Sequence, residues 1–523
     1  MLVKIQGAAV TGIDAIVVTV EVSIGIGATF SIVGLPDTAV KESLERVRSA
    51  IKESGYQFPH RSTVVNMAPA DVRKEGAAYD LPIAVGILAG TQQIDPVPEP
   101  GTYMIMGELS LDGSLSPIRG VLPMAIKARE LGFKGMILPK ANAVEGATVN
   151  NLEVYGAENL RQVVEFLCGK GGIEPTIVNT REEFAKASVE FEDDFCDVCG
   201  QENVKRAFEV ACAGGHNILL VGPPGSGKSM MAKRLPTIMP PLSLREALET
   251  TKIHSVAGTL RGGTSLMAVR PFRSPHHTIS PVALVGGGNN PKPGEISLAH
   301  NGILFLDEFP EFSRGVLEVL RQPLEDRTIS ISRVRYSVDY PAGFMLVASM
   351  NPCPCGYYNH PTKPCTCQPG AVQKYLNRIS GPLLDRIDIQ VEILPVPFEK
   401  LAQRDQGEKS AAIRQRVIAA RAIQENRFRD VPHVHCNAQM GSKLLQKWVK
   451  LNDESRGILE KLMVKYDMSA RAYDRILKVA RTIADLEASP EVEAHHVREA
   501  AGYRNLDRGT WGSTTLPKSP IPY

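Results

Sequence analysis

The chain has 523 residues, of which 43% are hydrophobic and 22% are charged, and its formal net charge at pH 7 is +2. A chain of this length has room for several domains. It contains no apolar run of about 18 residues that could cross a bilayer, and its start lacks the compact apolar core of a secretory signal. These features argue against a membrane protein and predict a cytoplasmic one.

Residues 1–168 alternate β-type runs such as DAIVVTVEV, STVVNMAP and GMILPKA with helical segments such as DTAVKESLERVRSAIKESG and VLPMAIKARELG. This alternation predicts a mixed α/β domain. Residues 169–194 contain the glycine-bearing GKGGIEPT and an acidic stretch, which are typical of a linker.

Residues 195–395 contain the apolar runs NILLVG, GILFLDE and FMLVASM, spaced by helical segments. This order predicts an open parallel sheet covered by helices. Residues 396–508 are helical in pattern, and their basic part leaves room for a polyanionic partner. The remaining residues, 509–523, are rich in Pro, Gly, Ser and Thr and predict a flexible tail.

A phosphate-binding motif follows the first of these runs. The strand NILLV leads into GPPGSGKS and then into a helical segment, so the motif G-x-x-x-x-G-K-S has its required context. Backbone N–H groups of such a loop surround phosphate oxygens, and the helix adds its positive end. We expect Lys228 to reach the β and γ phosphates and Ser229 to bind Mg²⁺. The predicted loop consists of Gly222, Pro223, Pro224, Gly225, Ser226, Gly227, Lys228 and Ser229.

Two carboxylates end the second apolar run, at Asp307 and Glu308. Beside a phosphate site, Asp307 can hold Mg²⁺, and Glu308 can orient and deprotonate the attacking water. The third run ends in Asn351, which is suitably placed to position that water. The pattern therefore predicts hydrolysis of ATP as well as binding.

Three arginines are candidates for a role at the γ-phosphate. Arg378 and Arg386 lie in NRISGPLLDRIDI, and Arg471 lies near the start of the helical SARAYDRILKVARTIADL. An arginine in such a place either forms a structural ion pair or, in an oligomer, reaches the nucleotide of a neighbour. Taken alone, the residues leave both roles open.

Four of the nine cysteines form two Cys-x-Cys pairs, a pattern that suits tetrahedral Zn²⁺ in a closed structural site within residues 353–367. His360 could replace one thiolate or lie beside the site. Reduced packing cysteines or a redox-sensitive site remain alternatives. Cys196 and Cys199 have no matching pair and are expected to be simple thiols. The predicted zinc ligands are Cys353, Cys355, Cys365 and Cys367.

Two further segments are candidates for contact with a substrate. Residues 255–300 are rich in glycine and contain RPFRSPHHT and LVGGGNNPKPGE. Residues 327–340 alternate as a β-hairpin does, with Arg333 and Arg335 near the turn. Such arginines suit a DNA phosphate backbone, although a salt-bridged surface hairpin is equally compatible with the pattern.

The motifs GPPGSGKS, ILFLDEF, RPFRSPHHT, ASMNPCPCG and SGPLLDRIDI together resemble those of the Mg-chelatase-like group of AAA+ ATPases. The resemblance extends from VGLPDTAVKESLERVRSAI near the start to SARAYDRILKVARTIADL near the end. It implies a Lon-protease-like N-terminal domain, an AAA+ core and a helical C-terminal lid domain, in a hexameric ring with nucleotide between subunits. It also implies that Asn351 is sensor 1, Arg386 the arginine finger and Arg471 sensor 2.

The N-terminal stretch MGELSLDGSLSPIRGVLPMAIKARELGFKGMILPK is similar to the Lon protease domain, whose chemistry uses a Ser–Lys pair. In this sequence Ala77 and Ala78 stand where the serine is expected, and Leu122 stands at the lysine position. Without a nucleophile and a base there is no covalent catalysis of this type. We expect an inactive domain used for assembly or substrate contact.

The resemblance implies a DNA motor driven by ATP: a branch-migration helicase that acts on single-stranded or branched DNA in homologous recombination during natural transformation, together with recombination proteins. One alternative is an ATPase subunit of a magnesium chelatase-like complex. Another is a scaffold that binds nucleotide without turnover, but Glu308 argues against it because a scaffold needs no water activator.

Overall fold

The computed structural model describes residues 1–96, 100–187, 191–260, 264–288, 291–333, 336–396, 407–466 and 468–504. The tail predicted at 509–523 lies outside these ranges. In the described part of the chain, every helix is too short or too polar to span a bilayer.

The N-terminal part is built on a seven-stranded mixed sheet. Its strands and those of a small neighbouring hairpin are β1 Leu2–Thr11, β2 Asp14–Gly25, β3 Phe30–Val33, β4 Ser62–Ala68, β5 Tyr103–Ile105, β6 Glu108–Leu109, β7 Leu115–Ser116, β8 Gly135–Pro139 and β9 Glu153–Ala157. Its helices are α1 Thr38–Glu53, α2 Asp80–Gly90, α3 Val121–Glu130, α4 Lys140–Ala147 and α5 Leu160–Leu167. The strand order is β3-β4-β2-β1-β5-β8-β9, and β6 pairs with β7.

Burial explains why these elements form. Strand β2 alternates buried and more exposed residues, as expected for a strand with one face on a core. Helix α2 is apolar after its first residue, Asp80, and all of its residues are buried. It packs tightly on the sheet, because a Cβ at Gly86 would lie 2.5 Å from a methyl group of Val22. The apolar composition of α2 thus fixes it in the centre of this part.

The segment predicted as a linker is not without structure. Thr176 donates a backbone hydrogen bond of 2.8 Å to Val154 of strand β9. A helix, α6, follows at Thr180–Ala187. The first part of residues 169–194 therefore extends the N-terminal fold.

The central part contains a five-stranded sheet in the order β11-β14-β17-β10-β18, in which every neighbouring pair is parallel. The strands are β10 Ile218–Val221, β11 Phe272–Arg273, β12 Gly286–Gly287, β13 Lys292–Pro293, β14 Ile303–Leu306, β15 Thr328–Arg333, β16 Tyr336–Pro341, β17 Met345–Met350 and β18 Ile389–Glu392. The helices are α7 Glu202–Gly214, α8 Lys228–Ile238, α9 Leu244–Ala257, α10 Pro281–Val285, α11 Glu295–Leu298, α12 Arg314–Val319, α13 Arg321–Asp326, α14 Ala371–Leu376 and α15 Gly381–Leu384.

All residues of β10, β14 and β17 are buried, which is why their sequences are continuous apolar runs. The predicted α/β fold with a parallel sheet is confirmed. Because parallel strands end at the same edge of a sheet, the polar residues that follow these strands come together there.

The C-terminal part is helical, with α16 Ser410–Phe428, α17 Ser442–Trp448, α18 Asp453–Tyr466, α19 Ala470–Leu486 and α20 Ala494–Gly502. Helix α19 packs against α7 and α16, so these helices share one buried apolar cluster with the parallel sheet. A buried polar link reinforces this packing: His216 lies 3.1 Å from Asp388 and 2.8 Å from Thr482 of α19. The helical part is therefore attached to the sheet through both apolar and polar contacts.

The N-terminal part contacts the central part through α9, the second helix after the phosphate-binding motif. The Ser255 hydroxyl donates a hydrogen bond of 2.5 Å to the buried Glu145 carboxylate. The Ser255 backbone carbonyl accepts one of 3.1 Å from the Gly120 N–H. Lys252 also pairs with Asp14 at 2.5 Å. These contacts place α3 and α4 directly against the central part.

Candidate active site and metal centre

The phosphate-binding motif forms a loop between strand β10 and helix α8. Gly225 and Gly227 have positive φ angles of 77° and 85°, which residues with a Cβ rarely adopt. At Gly222 a Cβ would lie 2.6 Å from the carbonyl oxygen of Ile393. The loop conformation thus depends on its glycines.

The lysine of the motif lies across its own loop. Lys228 Nζ donates to the carbonyl oxygens of Gly222 at 2.7 Å and Pro223 at 2.9 Å, and to Asn351 Oδ1 at 3.3 Å. Burial lowers the pKa of Lys228, while Asp307 and Glu308 oppose that shift. The ammonium group is therefore held at the mouth of the loop, where phosphate oxygens would replace the carbonyls.

Ser229 and Asp307 form a pair that suits Mg²⁺. Ser229 Oγ donates a hydrogen bond of 2.6 Å to Asp307 Oδ2, and the Ser349 hydroxyl donates a second hydrogen bond to Asp307 Oδ1. A hydroxyl and a carboxylate beside a phosphate loop are the hard oxygen ligands that this ion prefers. The donor set fits the predicted ion. Sequence reasoning missed Ser349, whose only signal was its position two residues before Asn351.

Glu308 follows Asp307 and has a left-handed backbone conformation, with φ 53°. The carboxylate is 57% exposed, and Oε2 lies 3.3 Å from His277 Nδ1. An exposed carboxylate next to the phosphate loop is available to a water molecule. His277 was not predicted as a site residue, although it lies in the quoted RPFRSPHHT motif.

The sheet order brings these predicted residues together. Strand β17 lies between β14 and β10, so Asn351 emerges between the carboxylates and the phosphate loop. Its contact with Lys228 is the direct expression of that arrangement. Lys228, Asp307, Glu308 and Asn351 therefore share one edge of the sheet.

The arginines lie elsewhere. Arg386 and Arg471 line one cleft of about 120 Å³, and Asp385 is also part of its lining. Arg386 is 12% exposed and pairs with Glu325, while Arg471 is 68% exposed and lies 3.5 Å from Asp385. Within the described residues, neither forms a hydrogen bond or ion pair with its own phosphate loop. Arg378 is outside this cleft and pairs with Glu311 at 2.7 Å.

The four predicted zinc ligands form a compact cluster, with all sulfur atoms within 4.8 Å of one another. Cys353 Sγ lies 3.3 Å from Cys355 Sγ and 3.8 Å from Cys365 Sγ. Four thiolates around Zn²⁺ at about 2.3 Å give sulfur separations of about 3.8 Å. The donor set therefore fits the ion.

His360 is not part of the cluster. Its Nδ1 accepts backbone hydrogen bonds from Thr362 at 3.2 Å and Lys363 at 3.0 Å, so it shapes the loop between the cysteine pairs. None of the nine cysteines, including Cys196 and Cys199, forms a disulfide.

The cysteine loop, residues 353–367, contacts the phosphate loop. Gly356, between the two cysteine pairs, has φ 85°, and a Cβ there would lie 2.6 Å from Cδ of Pro224. Cys353 itself is fully buried. The cluster is thus packed directly on the nucleotide site.

The hairpin predicted at 327–340 is formed by β15 and β16, and Arg333 pairs with Tyr336 in its register. Arg335 lies outside the described residues. In the N-terminal part, Ala77 and Ala78 begin a short 3-10 helix. Leu122 lies on helix α3 and is buried in the apolar core of this part. No hydroxyl or amine occupies these three positions.

The parallel sheet, the phosphate loop and the paired carboxylates define a P-loop domain of the AAA+ type. Comparison with known proteins identifies the family. Family models described as magnesium chelatase, subunit ChlI, as subunit ChlI of Mg-chelatase and as its C-terminal part match residues 194–401, 18–142 and 407–504.

The chain is 43% identical over 499 residues to competence protein ComM of Haemophilus influenzae, covering 95% of this chain and 96% of the relative. It is 44% identical over 504 residues to YifB of Salmonella typhimurium, covering 96% of each. The chain therefore belongs to the Mg-chelatase-like AAA+ family that includes ComM and YifB. A more distant similarity, 22% over 323 residues, links 58% of the chain to 32% of the DNA replication licensing factor mcm6 of Dictyostelium discoideum.

Proposed function

We propose that the protein is an ATP-hydrolysing, ring-shaped DNA motor that acts as a branch-migration helicase in recombination during natural transformation. The observation that carries the proposal is the complete hydrolytic set at one sheet edge, in particular the exposed Glu308 beside Ser229 and Asp307. Two relatives favour DNA as the substrate: one is named a competence protein and the other a DNA replication licensing factor.

In the proposed reaction, Lys228 binds the β and γ phosphates. Ser229 and Asp307 would hold Mg²⁺, which would supply positive charge to neutralise the phosphates. Glu308 accepts a proton from water as the water oxygen forms a bond to the γ phosphorus. The bond between that phosphorus and the bridging oxygen breaks, which yields ADP and phosphate. Asn351 orients the water from its place beside Lys228.

We assign Arg386 and Arg471 to the nucleotide of a neighbouring subunit. Among the described residues, the side chains that line their shared cleft include none from the phosphate loop at 222–229. A head-to-tail ring would place such a cleft against the next subunit's site. In the free chain, the acidic Glu325 and Asp385 hold the two guanidinium groups. The anionic γ-phosphate would compete for the same groups in a hexameric ring.

DNA contact is assigned to the hairpin of β15 and β16. The sequence of this segment contains Arg333, Arg335 and Tyr336, a composition that suits contact with phosphates and bases without sequence readout. The proposed partner is single-stranded or branched DNA, handled together with recombination proteins.

The cysteine cluster is assigned to structural Zn²⁺. Cys353, Cys355, Cys365 and Cys367 would hold the ion, which cross-links the loop that packs on Pro224. Such a site would stabilise the loop that carries Asn351 at its start. Metal analysis of purified protein tests this assignment: one zinc per chain is expected, and its absence would contradict it.

The N-terminal part is assigned a non-proteolytic role in assembly. The Leu122 backbone N–H donates a hydrogen bond of 3.0 Å to the Glu145 carboxylate, which also accepts a hydrogen bond from the Ser255 hydroxyl of α9. Glu145 thus links Leu122, which stands at the expected lysine position, to helix α9 of the ATPase part. We propose domain limits of 1–168, 195–395 and 396–508, as the sequence indicates.

The test is steady-state ATP hydrolysis without DNA, with single-stranded DNA and with a four-way junction, followed by strand-exchange assays. Stimulation by DNA is expected, and Glu308→Gln should bind ATP without turnover. If none of these DNA substrates changes the rate of ATP hydrolysis, the result would contradict the motor and favour the chelatase-like alternative. Normal turnover in Glu308→Gln would contradict the assignment of the base.

A further inference from the structure

The helical C-terminal part contains a basic stretch that neither the ATPase site nor the hairpin uses. Residues 431–452 include three lysines and two histidines but no aspartate or glutamate. Lys443 and Lys447 lie on helix α17, and Lys450 follows two residues after the helix ends. All three lysines are exposed. We call Lys443, Lys447 and Lys450 the lysine surface.

Helix α17 has one apolar side and one basic side. Leu445 is buried, and Trp448 packs against the apolar cluster that the helical part shares with the parallel sheet. Lys443 and Lys447 are four residues apart, so their Cβ atoms lie about 5–6 Å apart on the same side of the helix. The apolar side therefore fixes the helix with both lysines facing solvent.

The charge of the lysine surface is not neutralised by the fold. Within the described part of the chain, none of its three lysines forms an ion pair with a carboxylate. The first acidic residues after the stretch are engaged elsewhere: Asp453 pairs with Arg456 at 3.7 Å. Glu454 pairs with Arg498 at 3.0 Å. Like charges four residues apart on a helix repel each other, so this arrangement does not stabilise α17. An anionic partner would supply the missing counter-charge.

The aromatic ring beside the lysines is occupied by cations. Lys447 Nζ lies 4.9 Å from the Trp448 ring centroid, and the guanidinium carbon of Arg427 lies 5.9 Å from it. Arg427 is itself paired with Asp485 at 2.7 Å. Because proteins that bind single strands offer open aromatic rings to the bases, this surface suits a backbone and not unpaired bases.

We propose that the lysine surface binds the phosphate backbone of duplex DNA, as a second contact besides the hairpin. The choice of DNA as the polyanion rests on the proposed function. Lysines act on phosphates as flexible point charges, and three exposed lysines without carboxylate partners provide such charges without sequence readout.

DNA binding by the full chain tests the inference, measured by the fluorescence anisotropy of a labelled DNA duplex at several salt concentrations. The variant carries Lys443→Gln, Lys447→Gln and Lys450→Gln together. The slope of log K against log salt should become shallower by about 2.7, since each lost phosphate contact removes about 0.9. Affinity near about 0.1 M salt should fall at least about tenfold. ATP turnover without DNA should stay unchanged, because none of the three residues belongs to the ATPase site.

Two further variants serve as controls. Lys41→Gln, Lys52→Gln and Lys170→Gln together remove the same charge from exposed lysines of the N-terminal part, and should leave affinity and salt slope near the wild-type values. Lys443→Arg, Lys447→Arg and Lys450→Arg together keep the positive charge and should keep the binding, because a phosphate backbone accepts either cation.

Wild-type affinity and salt slope in the glutamine variant of the lysine surface overturn the inference. An equal loss in the N-terminal control also overturns it, because net charge alone would then explain the effect. Weak binding by the arginine variant, or no duplex binding by the wild-type chain, overturns it as well. Failure of the proposed function gives a different result: duplex binding that depends on the lysine surface, while no DNA stimulates ATP hydrolysis, contradicts the motor and supports this inference.

Discussion

The contact between the cysteine loop and the phosphate loop predicts a large effect of a small substitution, Gly356→Ala. The added methyl would lie 2.6 Å from Cδ of Pro224, where ordinary contact begins near 3.4 Å, and the proline ring cannot rotate away. The phosphate loop or the loop that carries Gly356 must therefore shift by a substantial fraction of an ångström, and we expect the phosphate loop to be displaced. Misplacement of a catalytic group by about 1 Å costs up to about 10²-fold in rate, so kcat/KM for ATP should fall about ten- to hundredfold.

Gly370→Ala is the matched control. Gly370 ends the same loop with a similar φ of 79°, but a Cβ there has nothing within 4 Å. Both substitutions place alanine in the left-handed region, at about 1–2 kcal/mol each, so both should lower the thermal midpoint. Only Gly356→Ala should weaken binding of a fluorescent ATP analogue and lower turnover. Equal kinetics for the two variants would refute the view that the cysteine loop supports the phosphate loop.

Three further predictions concern the assembly, the metal and the cleft. Arg386→Ala and Glu308→Gln should each be inactive alone, but an equal mixture of the two variants should regain about a quarter of wild-type turnover. About a quarter of the sites shared between subunits would then combine an intact Glu308 with an intact Arg386. If no turnover is recovered, the arginine acts in its own subunit's site. Cys365→Ser should lose zinc and lower the thermal midpoint without changing helix content by circular dichroism; a wild-type midpoint would contradict a structural metal. Burial and repulsion from Arg475 lower the pKa of Lys478 from 10.5 to about 8. Between pH 8 and 10.5 the folded state therefore binds fewer protons than the unfolded state, and the free energy of unfolding rises with pH. Lys478→Met should therefore be more stable than wild type below pH 8, with a difference that shrinks as the pH approaches 10.5; a difference independent of pH would contradict this origin.

The sequence by itself determined the parts of the site that depend on local geometry. A strand, a glycine loop and a helix are contiguous, so residues 222–229 could be recognised without any tertiary information. Asp307, Glu308 and Asn351 end short apolar runs of the kind that buried parallel strands produce. The cysteine pairs are likewise close enough in sequence to predict their cluster. The helix at Thr180–Ala187 was missed, since eight residues beside a glycine-rich stretch give a weak periodic signal.

Contacts between distant segments were decided only by the tertiary structure. His277 meets Glu308 because β11 is the parallel neighbour of β14, and neither strand states its partner in its own sequence. Gly356 meets Pro224 because β17 is the parallel neighbour of β10, so the loop that follows β17 ends at the phosphate loop. Arg386 and Arg471 share a cleft because helix α19, which carries Arg471, packs against α7 and α16. Periodicity specifies which face of an element is buried, whereas the order of strands and the choice of partner depend on the packing of the whole chain.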